Sequence, residues 1–476
     1  MCGGEQVRTS DVAPKLRTKR KMIRLGGSCL KLPLPIEGNR HQLPTPPIIL
    51  TPLSTKCTLT KQAHRFLSTL TSTALRDSSA SAIDKLIRKF VESSPKSVAL
   101  GVLSHLLSPR ISQPHLSSLA LPLYRRITEA PWFNWNPKLV ANLVALLDEQ
   151  GRFDEWEMLI SDAVSKLELR ERELALFYCN LIESHSKQGS QRGFDASYAR
   201  LNQLLHNSDS IYVKRRGYES MVSGLCTMDR PREAENMFEE MRVGGLKPSR
   251  FEFRCVLYGY GRLGLFEDMQ RIVVQMKNEG VGLDTVCSNM ILSAYGSHKE
   301  LAEMAVWLRK MKASSIPFTV RTYNSVLNSC PKVMAMLQDM DGLPLSIEEL
   351  SSVLNGDEAL VVKEMVASHS VLEEVMEWDS LEVKLDLHGM HLGSAYLITL
   401  QWVEEFRHRL KDGKHTIPGQ VIVVCGSGRH SSVRGESPVK GLIRKMMARM
   451  KSPMRIDRKN VGCFVGKGKA VRDWLC

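Results

Sequence analysis

Three stretches decide the fold: "RRGYESMVSGLCTMDRPREAENMFEEMRVGGLKPS" (215–249), "RFEFRCVLYGYGRLGLFEDMQRIVVQMKNEGVGLD" (250–284) and "TVCSNMILSAYGSHKELAEMAVWLRKMKASSIPFT" (285–319). They abut, and each is 35 residues long. Met241, Met276 and Met311 fall at the same place in each, and Gly245 and Gly280 match as helix stops. A fixed period of this size means stacked helix–turn–helix units, because one such unit cannot bury its apolar face alone. The methionines and aromatic residues at helical spacing are core.

Working outward, a fourth unit begins with "VRTYNSVLNSC" and is interrupted at Pro331. Weaker units begin near Pro137 and Ala175, with Gly151 dividing two helices. Regular structure starts near Leu59, and apolar pairs at Ala82-Ile83, Leu86-Ile87 and Phe90-Val91 recur at helical spacing. Residues 331–380 read as a helical bridge that packs against the last repeat.

From Leu381 the period changes. "LEVKLDLHG" (381–389) alternates as a strand does, so Asp386 and His388 are expected to project from one face. Gly393, Ala395, Leu397, Leu400, Val403 and Phe406 suit a helix. "GQVIVVCGSG" (419–428) is an apolar run bounded by glycines, as expected of a buried central strand. Pro438 opens a helix with Met446, Met447 and Met450 inward and Arg444, Lys445 and Arg449 exposed. "MRIDRKNVGCFVG" (454–466) returns as a strand pair, giving the order β-α-β-α-β-β.

Charge follows the same division. The chain of 476 residues carries a formal net charge of +14. Residues 1–60 hold 10 Lys and Arg against 3 acids, residues 61–380 hold 37 against 40, and residues 381–476 hold 18 against 8. A neutral helical array with a basic tail beside a glycine loop suits phosphate binding. The leader is basic, acid-poor and broken by Pro33, Pro35, Pro44, Pro46, Pro47 and Pro52. That composition predicts an organellar import leader over 1–60, plastid first and mitochondrion as the alternative. No stretch approaches 18 consecutive apolar residues, so no membrane span is expected. The 11 cysteines include no C-x-x-C pair, which argues against a disulfide framework or a structural zinc site.

The block "AENMFEEM…GGLKPS" resembles the pentatricopeptide repeat (PPR) rather than the tetratricopeptide repeat, whose W-x-x-L-G-x-x-Y signature is missing. The resemblance is good over 215–330 and loose over 97–214. It implies an array of right-handed superhelical pitch that reads single-stranded RNA, one base per repeat. The fifth and last residues of each repeat are then the base-facing pair: Glu219 with Ser249, Arg254 with Asp284, Asn289 with Thr319, and Asn324 in the broken unit. Only Asn289 and Asn324 carry the usual short amide. Arg254 could stack on a base or bind a phosphate instead.

The stretch 384–476 resembles the small MutS-related (Smr) domain. The resemblance rests on LDLH with Gly389 and Gly393, on Gly426-Ser427-Gly428, and on "RHSSVRGESPVKG" (429–441). Cys425 stands where most members carry threonine. An array of this kind fused to an Smr domain is similar to plant organellar PPR–Smr proteins. The resemblance implies RNA binding, with endonuclease activity or a role in organellar RNA maturation and gene expression. Organellar ribonucleoprotein or ribosome-associated proteins are the implied partners.

The residues suit that chemistry. Gly426, Ser427 and Gly428 can aim backbone N–H groups at a phosphate, and Arg429, His430 and Lys440 add positive charge there. His388 is a candidate general base on a 2′-hydroxyl, or acid to the leaving oxygen. Asp386 orients His388 or holds Mg²⁺, the one candidate cofactor; the structural alternative is a cap for the helix that follows. Arg444, Lys445 and Arg449 are candidate RNA contacts. His391, His408 and His415 read as surface or packing residues. The expected architecture is thus a leader (1–60), degenerate helical repeats (61–214), PPR units (215–330), a helical linker (331–380) and an Smr domain (381–476). The competing functions are a non-catalytic RNA adaptor and a protein-binding scaffold.

Overall fold

The computed structural model describes residues 59–76, 80–108, 114–379, 381–411, 418–426, 428 and 437–476. The import leader expected over 1–60 lies outside the described residues except for Leu59 and Thr60.

Capping chemistry sets where the repeat helices begin. Ser249 closes a capping box with Glu252 ahead of helix Arg250–Arg262. Asp284 accepts from Cys287 N at 2.9 Å ahead of Thr285–Ser297, and Thr319 with Thr322 caps Val320–Leu327. Each such cap contributes about 1 kcal/mol. The stops are equally local. Gly280 ends its unit with φ +73°, a left-handed conformation that costs glycine little. The equivalent residue one period later is Ser315, which holds φ +54° against the usual Cβ penalty.

The repeats build two rows. Helices Pro137–Glu149, Glu171–Gln188, Ile211–Thr227, Arg250–Arg262, Thr285–Ser297 and Val320–Leu327 pack each on the next and form an inner row. Helices Phe153–Leu167, Gln191–Asn207, Pro231–Val243, Phe266–Asn278 and Leu301–Ala313 lie on their own inner partners. The first 35-residue unit begins inside a helix, since Ser210 caps Ile211–Thr227, which starts four residues before Arg215. Val222, Phe253, Tyr260, Ile291, Tyr295 and Tyr323 fill the spaces between helices, together with the repeated methionines. Among the described residues five helices precede the array: Lys61–Arg76, Ala80–Ser93, Lys96–Leu106, Pro114–Ser117 and Ala120–Thr128.

The bridge does more than connect. Glu358 accepts from the N–H groups of Lys332 and Val333 at 3.1 and 2.8 Å, capping the short helix Pro331–Met336. Helix Gly356–Val366 packs on Leu301–Ala313, and Lys312 reaches Glu364 at 2.9 Å.

The C-terminal sheet has five strands: β1 (Met376–Trp378), β2 (Glu382–Asp386), β3 (Gln420–Val424), β4 (Arg455–Ile456) and β5 (Cys463–Lys467). Their order is β1-β2-β3-β5-β4, which puts β3 at the centre. β2 and β3 are parallel, with Asp386 beside Val424, and all other pairs are antiparallel. Helix Leu392–Lys411 makes the crossover that a parallel pair requires. Two elements were not anticipated: β1, assigned to the helical bridge, and helix Gly468–Leu475 after the last strand. β1 is a three-residue edge strand, too short for an alternation to show.

The sheet is not a tethered module. Leu392–Lys411 packs directly on Val320–Leu327, so it continues the inner row. A Cβ on Gly393 would lie 3.0 Å from Leu327 Cβ, and glycine permits that approach. Behind it, Tyr323 Oη lies 2.9 Å from the carbonyl oxygens of both Met365 and Ser368 and shares its one proton between them. Gln401 Nε2 donates to Val366 and Ser368 at 3.0 and 3.1 Å. Each such bond contributes about 1 kcal/mol. Leu59–Cys476 forms one compact unit.

Candidate nucleic-acid interface

β2 ends at Asp386, and the chain turns at once. Leu387 N donates to Val424 O at 2.9 Å, and His388 N donates to Asp386 Oδ1 at 2.9 Å. Asp386 therefore closes a turn two residues long rather than orienting the His388 ring, and it does not cap the following helix, which begins at Leu392. Strand alternation placed the two side chains together, but the strand stops before His388. His388 is exposed. A Cβ built on Gly426 would lie 3.8 Å from its Cδ2, so the ring faces the first glycine of the loop after β3. Gly426 has φ +81°, open to glycine and strained for other residues.

The glycine loop is described only in part: Gly426 and Gly428 are placed, whereas Ser427, Arg429 and His430 lie outside the described residues. Cys425 is buried, and burial pushes its thiol up to about 12, so it is a protonated packing group at neutral pH. Its carbonyl accepts from Ser437 Oγ at 3.1 Å, and Ser437 in turn caps helix Pro438–Arg449 through Lys440 N. Lys440 is half-buried at the start of that helix.

Among the described residues no three His, Cys, Asp or Glu side chains are grouped to hold a metal ion. One oxygen of Asp386 is already spent on the His388 N–H.

The residues expected to face bases in the array have partners within the protein. Asn289 is only 4% exposed, and its Oδ1 accepts the Thr322 hydroxyl. Arg254 is ion-paired with Asp284, which also lies 3.5 Å from Arg250. Glu219 pairs with Arg216 at 2.6 Å. Ser249, Asp284 and Thr319 are turned toward the helices they cap. These short polar side chains meet unsatisfied helix N–H groups first, and that use is local. On helix Pro438–Arg449, Arg444 is exposed, but the other two are engaged with the bridge. Lys445 reaches Asp341 at 3.2 Å, and Arg449 donates to the carbonyls of Met340 and Leu343 at 3.2 and 2.5 Å.

Asn324 is the most informative case. Its Nδ2 donates to Gly389 O at 3.1 Å and its Oδ1 accepts from His391 N at 2.8 Å. Asn328 Nδ2 meets His391 Nδ1 at 2.6 Å, which makes that ring nitrogen the acceptor. His391 is exposed, and partial desolvation of its ring lowers the imidazole pKa from its ordinary value, in keeping with an accepting nitrogen. Sequence reading gives His391 as a surface or packing residue and assigns no role to Asn328. The available signal was two amides four residues apart on one helical face.

PPR repeat models match residues 218–246 and 253–281, and a pentatricopeptide repeat domain model matches 271–332. The chain is 59% identical over 418 residues to pentatricopeptide repeat-containing protein At2g17033 of Arabidopsis thaliana, spanning 88% of this chain and 82% of that protein. This chain is a pentatricopeptide repeat protein. More distant PPR relatives in the same plant include At3g56030, mitochondrial, 26% identical over 25% of this chain and 34% of that protein. Another is At5g48730, chloroplastic, 21% identical over 41% of this chain and 38% of that protein. Among solved structures, PPR10 from maize aligns with a TM-score of 0.33 at 13% identity, over 82% of this chain and 62% of that one. No helix among the described residues of this PPR protein is long and apolar enough to cross a membrane.

Proposed function

We propose that this PPR protein is an organellar RNA-binding protein whose inner helical row holds single-stranded RNA, and whose C-terminal sheet is an Smr-type module that cuts the bound strand. The observation that carries this reading is the continuity of the inner row: Leu392–Lys411 packs on Val320–Leu327 and brings the His388 turn and Gly426 to the row's end. A polymer lying along the helices meets an exposed imidazole beside a glycine loop.

In this reading His388 takes the proton of a 2′-hydroxyl. The 2′-oxygen attacks the neighbouring phosphorus, the bond to the 5′-oxygen breaks, and the leaving oxygen takes a proton from water. A 2′,3′-cyclic phosphate and a 5′-hydroxyl result. The glycine-loop N–H groups and Lys440 supply positive potential for the phosphorane. Asp386 builds the turn that presents the ring.

One observation favours a second reading, the non-catalytic adaptor. Asp386 spends its carboxylate on backbone, and no described group orients the His388 ring. The deciding experiment incubates the full chain with end-labelled organellar RNA, with and without added Mg²⁺. Cleavage that His388→Ala abolishes supports the nuclease; binding with no cleavage in either condition moves the reading to the adaptor. For localisation, plastid is the proposal, supported by the basic, acid-poor leader; a fluorescent fusion of residues 1–80 entering mitochondria alone overturns it.

A further inference from the structure

From helix Arg250–Arg262 onward, the fifth residue of each 35-residue unit grips the start of the next inner helix, whereas Glu219 pairs with Arg216 on its own helix. Arg254 pairs with Asp284, the cap of Thr285–Ser297. Asn289 accepts from Thr322, the third residue of Val320–Leu327. One period later Asn324 binds Gly389 O and His391 N, and His391 O accepts from Ala395 N in the first turn of Leu392–Lys411. The same grip therefore recurs across the junction. Residues 389–391 stand where the capping residue of another repeat would stand, and the exposed His388 comes immediately before them.

We infer that Asn324 and Asn328 are positioning residues, which fix the His388 turn in the inner row at the place of a further repeat, so that a strand leaving the array is delivered to it. Asn324 consequently does not read a base. Its amide oxygen and its amide nitrogen are both committed to the turn, and Asn328 adds a third bond through the His391 ring. A flexible linker would leave the turn free to meet any part of the strand. Three hydrogen bonds and the close Gly393–Leu327 approach confine it to one part. This inference rests on the RNA reading above and adds a register to it.

The test uses the full chain and a short single-stranded RNA enriched from a random-sequence pool by binding to it. Versions of that RNA carry a single 4-thiouridine, moved one nucleotide at a time. After irradiation, the cross-linked peptide containing residues 386–391 is assigned by mass spectrometry. In the wild-type chain, cross-links to that peptide should come from one or two adjacent nucleotides at one end of the protected segment. In the Asn324→Ala/Asn328→Ala variant their yield should fall about tenfold or spread along the strand, with RNA affinity kept. Tyr323 and Gln401 still hold the helix, so the variant should fold; Asn328→Ala alone is the milder version and should show a smaller shift in the same direction. Wild-type cross-links scattered over many nucleotides, or a pattern unmoved by the double variant, overturn the inference while leaving RNA binding intact. A chain that enriches no RNA overturns the RNA reading and this inference together.

Discussion

Asn289 Oδ1 accepts the Thr322 hydroxyl at 2.7 Å in the buried seam between two inner helices. The amide belongs to the packing of the array before it can belong to a ligand. Asn289→Ala removes one acceptor from the Thr322 hydroxyl, which keeps its Thr319 partners, and should cost about 1 kcal/mol. Denaturant unfolding would show this as a lower midpoint, with single-stranded RNA affinity little changed. Normal stability combined with lost RNA affinity would return Asn289 to base reading.

The Arg254–Asp284 pair makes a different forecast, because Asp284 both caps a helix and neutralises a guanidinium. Asp284→Ala should lower stability by about 1 kcal/mol through the lost cap. It should also release Arg254, raising RNA affinity at low salt and steepening the salt dependence by about one unit. Asp284→Ser keeps an acceptor for Cys287 N without the charge. It should recover the stability yet retain the altered salt slope. Equal salt slopes in all three proteins would place Arg254 away from phosphate.

Asp386 and His388 separate by the same logic. His388→Ala should remove about 10²–10⁴-fold of any RNA cleavage rate, the usual contribution of a positioned acid or base. Asp386→Asn retains an oxygen for the His388 N–H, so turn and cleavage should persist within a few-fold, whereas Asp386→Ala should lose both. Single-turnover cleavage rates with circular dichroism controls decide this. An inactive Asn variant with an intact fold would give the Asp386 charge a chemical role that the turn does not require.

His185 gives a pH forecast. It is fully buried beside Asp148, whose Oδ2 lies 3.4 Å from Nδ1, and burial lowers its pKa from the ordinary 6.5. The folded state then favours the neutral ring, and the unfolded chain binds a proton first as pH falls through 6.5. Stability is fully present above that pH and is lost below it, by up to about 1.4 kcal/mol per pH unit. Denaturation midpoints across the acidic range should show this decline, and His185→Leu should reduce its slope. A slope unchanged in the variant would assign the decline to other groups.

Period and local chemistry were legible in the sequence. The 35-residue spacing of Met241, Met276 and Met311 required stacked helix pairs, and the matches at 218–332 agree. Alternation in 381–389 and the apolar run after Gly419 required strands, because side-chain periodicity is a property of each segment alone. Caps such as Ser249 and Thr319 act within one turn of helix, so position beside a helix start could have revealed them. What a polar side chain finally touches depends on which segment is folded against it. Asn289 and Asn324 occupy the same place in the repeat and look identical in sequence. One is sealed against Thr322 and the other holds Gly389 and His391, residues more than sixty positions away. The sequence alone determined repeats followed by a sheet. Only the packing of Leu392–Lys411 on Val320–Leu327 made the sheet a continuation of the row, because a helix cannot specify by its own pattern which neighbour will cover its apolar face.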